Sequence, residues 1–329
     1  MCEAFWQAKI WGLLHDPPLK ALYEQKSKEG AWQSLTCMNG WVSPKGNLAN
    51  AQYSNKWLKH IGLCDHIASA SDRAAIGRLP KTSVDYTNEG IQIRHLLSGE
   101  PQTLKLRQWH DHLIELGRGR TNWLTHVETI LIPDQIKQET DARKVFWWLW
   151  RCYPQVLSNA LDRDNTEPRL PLLPAETRIP DGSLWSHATM TSALAGSLAG
   201  YYNNAADYPK KNARNWHKSR PHVATFTFTP VQELIKASRK MRDFWAGSWL
   251  LHYLSAKICW DIAWKYGPDT LLYPCLYAQP LIDLWLLEKY PCFKEWINSP
   301  SPKDYRRLLT AGFPNVLVII FVMILEFRI

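Results

Sequence analysis

Residues 4–18 read AFWQAKIWGLLHDPP, and this stretch decides how the N-terminal part of the chain folds. Its apolar residues recur at helical spacing, so the sequence predicts a helix over residues 4–15. The helix must stop at Asp16 because the two prolines that follow bar α-helical geometry there. His15 and Asp16 therefore lie together at a helix end, where imidazole nitrogen and carboxylate oxygen can bind one divalent cation.

A single His-Asp pair is a weak signal for a metal site, and the sequence contains a second such pair in His110-Asp111-His112. That second pair lies in a charged stretch, so we expect it to be a solvated helix surface with no role in catalysis. The first pair needs support from elsewhere in the chain before it can be interpreted as a metal site.

Two further helices offer such support. A helix predicted over residues 56–76 carries Asp65 and Asp72 on its apolar stripe, where an unpaired carboxylate is costly unless it meets a cation. The two lie about 10 Å apart along the helix, so at most one of them ligates a given ion, and Arg73 offers the other a salt bridge. A third helix starts near Ser183 and carries His187 on an apolar face, where a histidine is more often a core residue than a ligand.

The composition limits the class of protein. The chain has 329 residues, 46% of them hydrophobic and 21% charged, which excludes global disorder and leaves room for two domains. A net charge of +9 favours polyanionic partners without identifying one. Seven scattered cysteines without a CxxC pair indicate a reduced, cytoplasmic location. The longest apolar run, residues 316–327, is too short to span a bilayer, so no membrane association is expected.

The periodicity changes along the chain. Residues 101–160 are helical in character, and the tryptophan-rich segment 146–150 is predicted to be core. Residues 201–222 are basic without an apolar period and are predicted to be a linker between two domains. Beyond them, residues 223–229 alternate as a strand does. A long helix over 231–265, a short strand over 270–273, a helix over 281–289 and a last apolar strand follow.

Five ordered stretches carry a resemblance to a known family. They are LLHDPPLKAL (13–22), CDHIASASDRAA (64–75), PAETRIPDGSLWSHATMTSALAG (174–196), TFTPVQELIKASRKMRDFWAGSWLLHYLS (227–255) and YGPDTLLYPCLYAQPLIDLWL (266–286). The chain resembles the N-terminal part of the large subunit of type III CRISPR effector complexes, Cmr branch (type III-B). The resemblance implies a mainly α fold with an α+β part: a permuted helical HD domain (1–200), the basic linker (201–222) and an incomplete ferredoxin-like, cyclase-type palm domain (223–329).

The resemblance also implies roles for individual residues. His15 and Asp16 would be the HD pair and the catalytic residues, with Asp65 and His187 completing a metal site, while Asp72 and Arg73 would be structural support. The cofactor would be a divalent ion, Mn, Ni or Mg, and the reaction would be the hydrolysis of single-stranded DNA in antiviral defence. The implied partners are the CRISPR RNA-containing complex with its other subunits, single-stranded DNA and, indirectly, target RNA.

The palm half departs from the family pattern. The family makes cyclic oligoadenylates from ATP with a GGDD motif, whereas this sequence contains no Gly-Gly pair, so no such synthesis is expected. ATP is a possible palm ligand, with Gly247 and Ser248 as candidate nucleotide contacts and core packing as the alternative. We interpret the final segment as the result of truncation or frameshift, with Val316–Phe327 forming an unpaired edge that makes the protein poorly soluble. The alternative function is a non-catalytic assembly module, or a decayed gene product.

Overall fold

The structure is a computed structural model. It describes residues 3–23, 30–41, 62–73, 91–94, 97–104, 109–161, 170–176, 179–199, 221–297, 308 and 312–322. The architecture is mainly helical with small antiparallel sheets, in agreement with the predicted combination of α and α+β parts.

Helices dominate the first half of the chain. They are α1 (Glu3–Leu14), α2 (Leu63–Arg73), α3 (His110–Leu116), α4 (Arg120–Ile130), α5 (Asp134–Lys137), α6 (Ala142–Arg151), α7 (Tyr153–Leu161) and α8 (Leu184–Ala199). Short 3-10 turns connect some of them, at Lys20–Leu22, Ala31–Ser34, Thr36–Met38, Gly117–Gly119 and Leu170–Leu172.

Helix α1 lies at the centre of this half because it is apolar on all sides. Ten of its twelve residues are buried, and it packs along α8 and against α6. Helix α6 begins where Asp141 accepts hydrogen bonds from the backbone N–H groups of Arg143 and Lys144. The predicted core segment 146–150 is confirmed, since all five of its side chains are at most 1% exposed.

Two hairpins interrupt the helices. Strands β1 (Ile91–Arg94) and β2 (Pro101–Leu104) pair antiparallel, and Gly99 in the turn has a φ of +72°, a conformation that favours glycine. The prediction that residues 101–160 are helical throughout is therefore wrong at its start. Strands β3 (Pro174–Glu176) and β4 (Ile179–Ser183) form the second hairpin, which leads into α8.

The predicted start of α8 is confirmed by its cap. The Ser183 hydroxyl accepts a hydrogen bond from the Ser186 N–H at 3.2 Å.

The second half combines one sheet with helices. Its elements are β5 (Pro221–Thr227), α9 (Val231–Lys236), α10 (Met241–Tyr266), β6 (Leu271–Tyr273), α11 (Pro280–Lys289) and β7 (Val316–Val322), with 3-10 turns at Pro268–Thr270 and Pro291–Glu295. The sheet has the order β5-β7-β6, and both pairings are antiparallel. The three predicted strands are thereby confirmed.

The long helix predicted over residues 231–265 is wrong in one respect. It is two helices, α9 and α10, and the chain between them leaves α-helical geometry at Lys240, which has φ −128° and ψ 153°. The Ser238 N–H bonds to the Ile235 carbonyl as a tight final turn, which closes α9.

The predicted unpaired edge at the C-terminal strand is also wrong. Strand β7 is the middle strand of the sheet, with Ile320 opposite Val223 of β5 and Ile319 opposite Leu271 of β6. Leu317 is fully buried, and the strand contacts α8 as well. Its apolar sequence therefore reflects burial, and the solubility argument built on an open edge does not hold.

Two buried ion pairs connect the halves. The Lys9 ammonium lies 2.7 Å from an Asp269 carboxylate oxygen, and both side chains are almost fully buried. Arg151 donates two hydrogen bonds of 2.6 Å to the carboxylate of Asp283. Residues 201–220 lie outside the described residues and β5 already begins at Pro221, so the domain limits 1–200, 201–222 and 223–329 stay a prediction.

Candidate metal centre

The end of α1 orients the first candidate ligand. His15 follows the helix directly, its side chain is fully buried, and its Nδ1 lies 2.7 Å from the Gly12 carbonyl oxygen. Because a carbonyl oxygen only accepts, Nδ1 carries the proton and donates. Nε2 then carries the lone pair that a metal ion would bind, which is the usual way in which a metal-binding histidine is held.

Helix α8 approaches α1 closely enough to bring a second imidazole to the same point. A Cβ atom placed on Gly12 would lie 2.6 Å from the Ser192 Cα atom, so only glycine permits this approach. The Ser192 hydroxyl also donates to the Lys9 carbonyl at 3.0 Å. As a result, Nε2 of His187 lies 3.3 Å from Nε2 of His15.

Two carboxylates complete the group. Oδ1 of Asp65, on α2, lies 3.5 Å from Nε2 of His15 and 3.4 Å from Nε2 of His187. Oδ2 of Asp16 lies 3.7 Å and 3.6 Å from the same two nitrogens. All four ligand atoms lie within 4.8 Å of one another, although His15 and His187 are 172 positions apart.

The donor set suits one divalent cation. A tetrahedral ion with bonds of about 2.0–2.2 Å has ligand atoms about 3.3–3.6 Å apart. The distances that involve an imidazole nitrogen, 3.3–3.7 Å, are close to those values. Imidazole nitrogens with carboxylate oxygens suit transition metals, whereas Mg²⁺ prefers oxygen ligands. Two imidazole nitrogens and two carboxylates this close together favour positive charge between them.

Other sequence candidates have different outcomes. Asp72 and Arg73 lie in the last turn of α2, but their side chains are outside the described part of the chain, so their supporting role stays a prediction. At the second His-Asp pair, Asp111 is exposed and His112 packs its ring against Trp109 and Trp123, as expected for a helix surface.

The candidate nucleotide contacts in the second half lie at or next to a cavity of about 350 Å³. Ser248 lines this cavity together with His252 and Ser255, whereas Gly247 is not among its lining residues. His252 accepts hydrogen bonds from the backbone N–H groups of Gly312 and Phe313, both at 2.9 Å, and burial lowers its pKa. A nucleotide contact at Gly247 and Ser248 stays a prediction.

Two polar residues close to the centre were not predicted from the sequence. Lys20 Nζ lies 2.8 Å from Oδ2 of Asp16. The four-residue spacing between the two residues could have predicted this contact, because it brings side chains together in helical turns. Glu128, on α4, is 2% exposed and accepts a hydrogen bond from the Leu19 N–H at 2.8 Å. The sequence indicates Glu128 only by its position: it is an acidic residue four residues after Leu124 and next to Val127, both of which are buried.

Comparisons with known proteins show what this chain is similar to. A family model described as "CRISPR-associated protein Cmr2, N-terminal" matches residues 223–325. The CRISPR system Cmr subunit Cmr2 of Pyrococcus furiosus is 26% identical over 303 residues, which cover 83% of this chain. The resemblance to the N-terminal part of Cmr2 is confirmed. The Cmr2 of Saccharolobus solfataricus is 22% identical over 315 residues, or 94% of this chain.

Solved structures of Cmr assemblies share the fold. A chain of the type III-B Cmr-beta structure in the apo state aligns with a TM-score of 0.52 at 19% identity, covering 95% of this chain. A chain of Cmr-beta bound to cognate target RNA aligns with a TM-score of 0.51 at 20% identity, covering 96%. This chain spans 31% and 27% of the length of the two Cmr2 relatives. Among the helices that the structure describes, none is long and apolar enough to cross a membrane.

Proposed function

We propose that this chain forms the N-terminal part of a type III-B CRISPR effector large subunit and holds a divalent cation that serves the hydrolysis of single-stranded DNA. Its first half would be the permuted HD domain and its second half the palm domain. The observation that carries the proposal is the convergence of two imidazole nitrogens and two carboxylate oxygens from α1, α2 and α8 within 4.8 Å.

The residues of the centre have separable tasks. His15 presents Nε2 because its Nδ1–H is held by the Gly12 carbonyl, and His187 presents Nε2 from the opposite helix. Asp16 and Asp65 supply two negative charges that balance a divalent ion. The chemistry that such an ion supplies when bound is the activation of water and the neutralisation of phosphodiester charge.

Unequal burial makes the carboxylates the accessible part of the centre. The side chains of His15 and His187 are 0% and 3% exposed, whereas those of Asp16 and Asp65 are 12% and 27% exposed. A phosphodiester would therefore approach past the carboxylates, while the imidazoles are shielded by α1 and α8.

Metal-dependent cleavage tests the proposal directly. The purified chain is expected to cleave single-stranded DNA with Mn²⁺, Ni²⁺ or Mg²⁺ and to lose both cleavage and metal binding in His15→Ala and His187→Ala. Asp111→Asn is the matched control, because it changes an exposed aspartate that also follows a histidine. A chain that binds no divalent ion in calorimetry contradicts the proposal.

A role in assembly is a second candidate and is compatible with the first. The N-terminal part of α10, up to Leu254, exposes large apolar side chains, among them Phe244, Trp245, Leu250 and Leu254, each 46–49% exposed. Exposed apolar residues on one helix indicate a contact surface for protein. The partners we propose are the other subunits and the RNA of a Cmr complex, in line with the neighbour described as bound to target RNA.

We also propose that this chain makes no cyclic oligoadenylate from ATP and Mg²⁺. Phosphoryl transfer requires carboxylates that hold the metal ions, and the family's GGDD motif does not occur in this sequence. Product formation by the purified chain in a chromatographic assay contradicts this.

A further inference from the structure

Lys20 lies at the rim of the proposed metal centre. Its ammonium is 2.8 Å from Oδ2 of Asp16, and its side chain is 29% exposed, compared with 12% for Asp16. The ammonium therefore contacts a ligand of the centre while remaining open to a molecule that enters from solvent. Lys9, by contrast, points its buried ammonium at Asp269 and is not available to the centre.

Lys20 places a positive charge at the edge of the centre. It contacts Asp16, one of the two carboxylates that would face a divalent ion. Once such an ion is bound, it shares the negative charge of Asp16 with the ammonium, and the two imidazoles are neutral as ligands. The ammonium then attracts the single negative charge of a phosphodiester.

The buried side chain of Glu128 fixes the turn that carries Lys20. Glu128 accepts from the Leu19 N–H at 2.8 Å through Oε1 and from the Tyr23 hydroxyl at 2.7 Å through Oε2. These two donors flank the turn Lys20–Leu22 on either side. Glu128 thus holds both ends of the turn against α4, and so limits where the lysine side chain can reach.

We propose that Lys20 contacts a non-bridging oxygen of the scissile phosphodiester and that Glu128 is a positioning residue for it. This rests on the proposed hydrolysis at the same centre. An ammonium has three donors, so Lys20 can keep its bond to Asp16 and still donate to a phosphate oxygen. Its role is substrate binding and charge stabilisation, with no proton transferred.

The experiment separates binding of the ion from binding of DNA. Lys20→Gln and Lys20→Arg are compared with Lys144→Gln as a matched control. Lys144 has a similar exposure, 27%, and forms an ion pair of 2.6 Å with Glu139, which is not a ligand of the centre. Mn²⁺ affinity is measured by calorimetry without DNA. The KM and kcat for a single-stranded oligothymidylate are measured with Mn²⁺.

The expected result is a split between the two readouts. Lys20→Gln should keep Mn²⁺ affinity within about threefold and lower kcat/KM by about 10- to 100-fold, the loss typical of a hydrogen bond to a charged group. Lys20→Arg should recover part of that loss because it retains a cationic donor. Lys144→Gln should behave as the unmodified chain.

Three outcomes overturn the proposal, and they differ from one another. Equal kcat/KM in Lys20→Gln and Lys144→Gln removes Lys20 from substrate binding and leaves the metal centre intact. Loss of Mn²⁺ binding in Lys20→Gln makes the lysine a support of the ion site instead. An unmodified chain that binds no Mn²⁺ and cleaves no DNA refutes the proposed function itself, and the role of Lys20 with it.

Glu128 variants test the positioning role. Glu128→Gln keeps an acceptor for the Leu19 N–H, whereas Glu128→Ala leaves that buried donor unpaired. Both should keep Mn²⁺ affinity, and KM should rise in Glu128→Ala more than in Glu128→Gln. A folded Glu128→Ala, verified by circular dichroism, with the KM of the unmodified chain refutes the positioning role.

Discussion

Single residues decide whether the two imidazoles meet. Gly12 allows α1 and α8 to approach, and a Cβ atom there would lie 2.6 Å from Ser192 Cα, a backbone atom that cannot move aside cheaply. Gly12→Ala should therefore push the helices apart, cost about 1–3 kcal/mol of stability, and lower Mn²⁺ affinity by at least about tenfold. Calorimetry with Mn²⁺ and thermal unfolding measure both effects.

The control for this variant is Gly119→Ala, because a Cβ atom at Gly119 meets nothing within 4 Å and the residue already has helical φ and ψ. Unchanged Mn²⁺ affinity in Gly12→Ala contradicts the packing argument.

Glu128 also makes stability depend on pH. Burial raises its pKa from an ordinary 4.5 to about 8. The folded state thus binds its proton more tightly than the unfolded state, so the contribution of Glu128 is complete below about pH 4.5 and is lost as the pH rises towards 8. The free energy of unfolding should fall by up to about 1.4 kcal/mol per pH unit in this window, relative to Glu128→Gln. Urea unfolding at a series of pH values tests it, and parallel curves for the two proteins count against it.

At the scale of elements, the sequence predicted most helices and strands, but not which elements pack or pair with one another. Helix α1 ends at the predicted place because Pro17 and Pro18 act locally. The hairpin of β1 and β2 has a local signal as well, since Ser98-Gly99 is a typical turn between two short strands. The prediction of helix over residues 101–160 did not take this turn into account. The central place of β7 has no local signal, because an apolar strand has the same sequence at an edge and in the middle of a sheet.

If residues 316–327 formed an unpaired edge, removing the C-terminal segment would raise the soluble yield, and the position of β7 reverses that expectation. Deleting residues 316–329 should lower the soluble yield, since it removes the strand to which both β5 and β6 are bonded and exposes the apolar face beneath it. Soluble expression of the two lengths decides this. A shorter protein with higher yield and intact cleavage of DNA would restore the edge interpretation.

For the whole molecule, the buried ion pairs hold the two halves together. Arg151 and Asp283 are 7% and 4% exposed and form two hydrogen bonds of 2.6 Å. Asp283→Ala leaves a buried guanidinium unpaired and should cost about 3–5 kcal/mol in urea unfolding. The exposed pair of Lys257 and Asp261 is the control, and Asp261→Ala should cost less than about 1 kcal/mol. Similar losses in the two variants argue against the buried pair.

Long-range contacts are the part of the site that spacing alone could not predict. His15 and Asp16 stand out because they are adjacent, but His187 lies 172 positions from His15 and its burial alone fits a core residue equally well. The pairing came from the family resemblance. Nothing local marks Lys9 and Asp269 as partners either, since their proximity depends on how the two halves pack.

The strand order of the sheet also sets an order of folding. Among the strands that the structure describes, β5 and β6 are not paired with each other, and both are bonded to β7, which follows β5 by almost a hundred residues. During synthesis, the backbone hydrogen bonds that join β5 and β6 to β7 therefore cannot form until β7 has left the ribosome. Such distant pairing carries a large loop-closure cost and slows folding, so α1 and α8 can pack before this sheet exists.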